Sequence, residues 1–183
     1  MLQAPLACLL AVLVHAEKKV PDSTTNVAPE SPAASQDEVT KLLATTFGAG
    51  AQVIHDARHQ MTSVIPEGKM TPQQLTDFNR HQTELMRSLA TDPGNPATRV
   101  HLDNAIGVLS GMDIDDKAKD QAIAGFLDGF LATSQAVVKE TQRLQTQTAA
   151  AGTEVTQPAP AKALYSTLAA SPNPLIQGVA VKG

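Results

Sequence analysis

From Asp37 to about Ala149, apolar side chains return every three or four positions, and Pro and Gly cut that pattern into segments too long for strands. A period of about 3.6 residues places such positions on one face of an α-helix, and a face of that kind must be buried against another. The fold class follows as all-α: a helical bundle of about four main helices over residues 37–150, with disordered N- and C-terminal flanks. Aromatics make up 3% of the chain, with no Trp, one Tyr and four Phe. The core must therefore come from Leu, Ile, Val, Met and Ala, whose modest size lets helices approach closely.

In the first segment Val39, Leu42, Leu43, Phe47, Ala51, Ile54, Ala57, Met61 and Val64 share a face. Gly48 and Gly50 interrupt it. Each costs about 1 kcal/mol relative to Ala inside a helix, so a bend or a close crossing is expected there. After Pro66-Glu67-Gly68 comes the best-punctuated start in the chain, with Thr71 as cap, Pro72 at the first helical position, Gln74 closing a capping box and Met70 set to staple onto Leu75. Leu75, Phe78, Leu85, Met86 and Leu89 continue that stripe. Asn95 and Pro96 introduce a third helix facing inward through Val100, Leu102, Ala105, Ile106 and Leu109, and Gly111 closes it. Asp113, Asp115 and Asp116 put negative charge at the start of the fourth, where unpaired N–H groups favour it. Its stripe runs from Ile123 to Leu144, a rod of about 50 Å at 1.5 Å per residue. The first helix is its expected antiparallel or crossing mate, and the two middle helices are expected as a hairpin across them.

Residues 1–16 read as a signal peptide or apolar leader: Leu6 to Val14 is too short to span a bilayer, and Val14-His15-Ala16 suits cleavage after Ala16. Lys18 and Lys19 follow the apolar run instead of preceding it, the reverse of the usual order. Residues 17–36, rich in Pro, Ser and Thr, read as a disordered linker, and 151–183 as a flexible tail with a short helix over 161–170. The apolar stretch from Pro174 to Val181 reads as an extended docking peptide, with Leu175 and Ile176 as its interface residues.

A formal charge of −4 and a pI near 5.7 leave no cation excess for a phosphate backbone, which argues against nucleic acid as a partner. Cys8, the single cysteine, lies in the leader, so a processed chain has no disulfide or thiolate chemistry. No nucleophile elbow, Walker loop or dinucleotide fingerprint occurs, and accordingly no catalytic residue, cofactor-binding residue or cofactor is expected. His55 and His59 stand at the i, i+4 spacing that puts two metal ligands on one side of a helix, beside the core stripe and toward its polar edge. His81 and His101 are the remaining ligand candidates. Gly125 and Gly129, one turn apart, mark a place where a second backbone can approach, within the fold or between chains.

These features describe a non-enzymatic, exported (periplasmic or secreted) helical protein that binds a protein partner, such as an accessory component of an envelope or secretion assembly. One alternative is a secreted effector or virulence factor with an uncleaved, disordered N-terminal export signal; another is a metal-binding helical protein using His55 and His59. Membrane contact is expected only through an uncleaved leader. The sequence specifies neither the partner nor the oligomeric state.

Overall fold

The bend expected at the glycines sets the path of the chain. In the computed structural model, which describes residues 32–151 and 159–183, α1 (Pro32–Phe47) ends in a single 3-10 turn over Gly48–Gly50, and α2 (Ala51–Ser63) leaves it in a new direction. Gly48 has φ 55°, a left-handed value that side chains resist and glycine accepts. The bend sends the two halves to different partners, α1 onto α3 (Pro72–Thr91) and α2 along α5 (Asp116–Ala150). The expectation of one rod lying along the fourth helix is thus half right. Only α2 does so.

Alpha-helix α3 begins as its punctuation requires. The Gln74 amide donates to Thr71 Oγ1 at 3.2 Å and the Thr71 amide to Gln74 Oε1 at 2.9 Å, while Gln74 Nε2 also reaches the Gly111 carbonyl at 2.7 Å. That last bond ties the start of α3 to the end of α4 (Ala97–Ser110), and the two form the expected hairpin. Val100 turns outward, at 51% exposure, because it lies about 200° round the helix from Leu102. Leu75 is also left 43% exposed. Asp115 caps α5, accepting from the Ala118 amide at 2.9 Å.

The C-terminal flank is helical, which corrects its reading as a disordered tail. After α6 (Pro160–Ala169), α7 runs over Pro174–Lys182, so the segment read as an extended peptide is a helix. Asn173 caps it by accepting from the Leu175 amide at 3.0 Å, and Pro174 occupies its first turn. Both helices are docked. Leu164, Leu168 and Ile176 have no exposed surface, Thr167 Oγ1 donates to the Gly94 carbonyl at 2.8 Å, and Arg99 reaches the Ala170 carbonyl at 2.7 Å. Counting α1 and α2 as one bent rod, the described residues hold six rods and no strand, where about four main helices were expected. The leader and the linker up to residue 31 lie outside the described residues, while residues 32–36, read as the end of a disordered linker, open α1.

The core gathers on the middle of α5, from Ala122 to Val138. Phe126 meets Phe78 edge-on at 5.4 Å, and Leu43, Ile54, Met61, Leu85, Met86, Leu102, Leu109 and Phe130 are wholly or almost wholly enclosed around them. No helix among the described residues is long and apolar enough to cross a membrane.

Candidate functional site

The two glycines of α5 locate α2. A Cβ at Gly129 would stand 2.5 Å from Met61 Cα, one at Gly125 2.8 Å from a Val64 methyl, and one at Gly50 would meet the Glu140 side chain. Numbers rising along α2 match numbers falling along α5, so the helices are antiparallel and nearly touch at Met61. Gly125 and Gly129 thus serve a contact within the chain.

That contact fixes which residues of α2 face inward. Ile54, Arg58 and Met61 are buried at steps of four and three, and Arg58 is only 6% exposed. His55 and His59 flank it, His55 half-buried and His59 exposed, beside the core stripe as the helical period requires. Together with Thr62 they line a cavity of about 120 Å³. Thr62 Oγ1 donates back to the His59 carbonyl at 3.0 Å. Asp56 lies at the edge, 3.9 Å from His55 Nδ1, with its carboxylate accepting from Gln52 Nε2 at 2.7 Å. The group brought to the two histidines is therefore the Arg58 guanidinium, a cation where a metal site needs a third ligand. Among the described residues no three His, Cys, Asp or Glu side chains gather closely enough to hold an ion.

Arg58 is the residue the sequence analysis overlooked. Burial works against its charged form, and its Nε finds no hydrogen-bond partner. The signal was present: Arg58 lies four residues after Ile54 and three before Met61, which places it on the stripe.

His81 and His101 meet each other instead, their rings 5.9 Å apart between α3 and α4. The Nδ1 atoms of both are buried without a partner. Burial, then the Arg80 and His101 charges, hold the His81 imidazole below the ordinary histidine value against an opposing pull from Asp77.

A second concavity lies between α5 and α7. Ile123, Leu127, Leu175 and Val179 line a groove of about 280 Å³, and Lys182 bridges to Asp128 at 3.5 Å at its edge. Leu175 is 48% and Val181 88% exposed, whereas Ile176 turns inward and is fully covered. Of the two interface residues expected in this stretch, Leu175 alone remains on the surface.

Comparison with protein families, with characterised proteins and with solved structures finds no match for this chain.

Proposed function

We propose that this chain is a non-enzymatic helical protein that acts outside the cytoplasm by binding another protein, as an accessory part of a larger assembly. The α5–α7 groove carries the reading. It is apolar along its floor, charged at its edge by Asp128 and Lys182, and lined by the half-exposed side chain of Leu175. An apolar floor with a polar rim is the form in which protein surfaces accept a few anchoring side chains of a partner helix. The apolar leader over residues 1–16 supports an extracytoplasmic site of action.

The test is recovery of partner protein from the native host by the purified chain, compared with a Leu175→Asp variant. Leu175 is 48% exposed, so the variant should melt within a degree or two of the parent while losing the partner. Undiminished recovery would remove the groove from consideration. Truncation after Ala170 is a poorer test, because it strips Ile176 from the core along with the surface. Intact mass of the protein from its host addresses export separately; a chain beginning at Glu17 is the expected result, and an uncleaved one supports the effector alternative.

A further inference from the structure

Arg58 presents an imbalance that the fold does not resolve. An arginine cannot shed its proton at any physiological pH. Removing that charge from water is costly unless a carboxylate or several acceptors receive it. Here the side chain is 6% exposed, its Nε has no partner, desolvation works against its charged form, and among the described residues no carboxylate bonds to it. What it has is a cavity. The roughly 120 Å³ bounded by Arg58, His55, His59 and Thr62 is close to the volume of four water molecules, at about 30 Å³ each, and falls well short of the ~300–1,000 Å³ of pockets for larger organic ligands.

We propose that Arg58, His55, His59 and Thr62 form a binding site for a small tetrahedral oxyanion of the phosphate class, which supplies the missing counter-charge. The donor arrangement selects the class. A planar carboxylate is satisfied by the guanidinium fork alone, whereas a tetrahedral anion offers further oxygens to the imidazoles lying one residue beyond and three before Arg58. Thr62 already uses its hydroxyl proton on the His59 carbonyl, so its oxygen is available to accept from a protonated phosphate. Asp56 is the opposing charge at the rim, and its bond from Gln52 engages it there. His55 also lines a neighbouring groove of about 340 Å³, walled by Leu43, Ala44 and Ala51 at the α1–α2 elbow. A phosphate carried on an apolar stem would have room for that stem.

The experiment uses the full chain, with melting temperature and the Arg58 Nε–H resonance followed as inorganic phosphate replaces chloride at constant ionic strength. A saturable rise in melting temperature and a matching shift of that resonance are expected, with acetate, which can engage only the guanidinium fork, giving a distinctly weaker response of each kind. Arg58→Met should abolish the melting response to phosphate and, having removed a buried cation whose Nε has no partner, should melt no lower than the parent in chloride. His59→Ala changes an exposed residue and should weaken phosphate binding about tenfold, the worth of one hydrogen bond to a charged group; an unchanged phosphate midpoint in this variant would overturn the assignment even if Arg58→Met failed to fold. A response equal to that of chloride or acetate, or one that survives Arg58→Met, would overturn it as well. A parallel titration with n-butyl phosphate separates the sources. Tighter binding than inorganic phosphate identifies a phosphoryl group on an apolar carrier, and equal binding identifies the free ion.

Discussion

Replacing Gly129 by alanine tests the α2–α5 contact on which the site geometry rests. The new Cβ would sit 2.5 Å from Met61 Cα, 2.7 Å from its amide nitrogen and 3.0 Å from its Cβ. Carbon atoms settle at about 3.5–4.0 Å, so α2 must move outward by roughly 1 Å or α5 must bend. Two of the three opposing atoms are backbone, which leaves no rotamer to turn aside. Overpacking of this kind costs about 1–3 kcal/mol, and the unyielding neighbour puts Gly129 at the upper end. Against that, alanine gains about 1 kcal/mol over glycine inside a helix. The net loss should be about 2 kcal/mol, or some 4–8 °C in melting temperature for a domain of this size. Gly107 supplies the control, lying exposed in α4 with nothing within 4 Å of its would-be Cβ. Gly107→Ala should therefore stabilise by up to about 1 kcal/mol. Urea unfolding of both variants reads the difference directly. A Gly129→Ala protein as stable as the parent would mean that α5 does not rest on Met61, and the placement of Arg58 would fall with it.

Leu168→Ala, in a fully buried position of α6, should cost about 2–5 kcal/mol in the same cooperative transition; a separate early melting step would show that α6 and α7 are not part of the core. Thr71→Ala removes the side-chain half of the α3 capping box and should lower stability by about 1 kcal/mol in urea titration, with the far-ultraviolet spectrum unchanged. The depressed His81 gives a pH dependence of known sign: the unfolded chain binds its proton more readily, so this contribution is complete above about pH 6.5 and is lost as pH falls through that value toward the lower folded one. The urea midpoint of the parent should therefore fall between pH 7 and 5.5, and His81→Gln should flatten that slope; an unchanged slope would assign the acid sensitivity elsewhere.

How far the sequence disclosed the fold depended on whether a segment carried redundant signals. The start of α3 combined a cap, a proline, a capping-box glutamine and a long stripe, and all but the stripe's first residue, the exposed Leu75, agree with the structure. The glycine bend was equally open to reading, because Gly48 needs a backbone conformation that few other residues accept. Alpha-helix α7 failed for the opposite reason. Its buried set is Ile176 and Val179, two positions three apart, which is too short a run to establish a period amid other apolar residues. Asn173 and Pro174 were the evidence for it, an N-cap and a first-turn proline that give a nine-residue helix its start even though its stripe is brief. The direction taken by α1 after the bend was not available to local pattern at all. It is set by a tertiary choice in which Val39 and Leu43 are buried and Arg87 on α3 binds Glu38 on α1.

The candidate site was half legible for a related reason. Spacing alone places His55 and His59 on one side of a helix, and they are there. Spacing also assigns Arg58 to the inward stripe, but a reading by residue type passes over a charged side chain when it assembles a core and takes Ala57 instead. The error is informative, since a cation held on a buried stripe without a partner is unfavourable by itself. Met at the same position would fill the space between Ile54 and Met61 at no electrostatic cost. Retaining the guanidinium makes physical sense if something anionic meets it, and a cavity with two imidazoles at its sides is where that meeting can occur. The spacing of the histidines suggests a cation, and the arginine between them is the reason the site is proposed here for an anion.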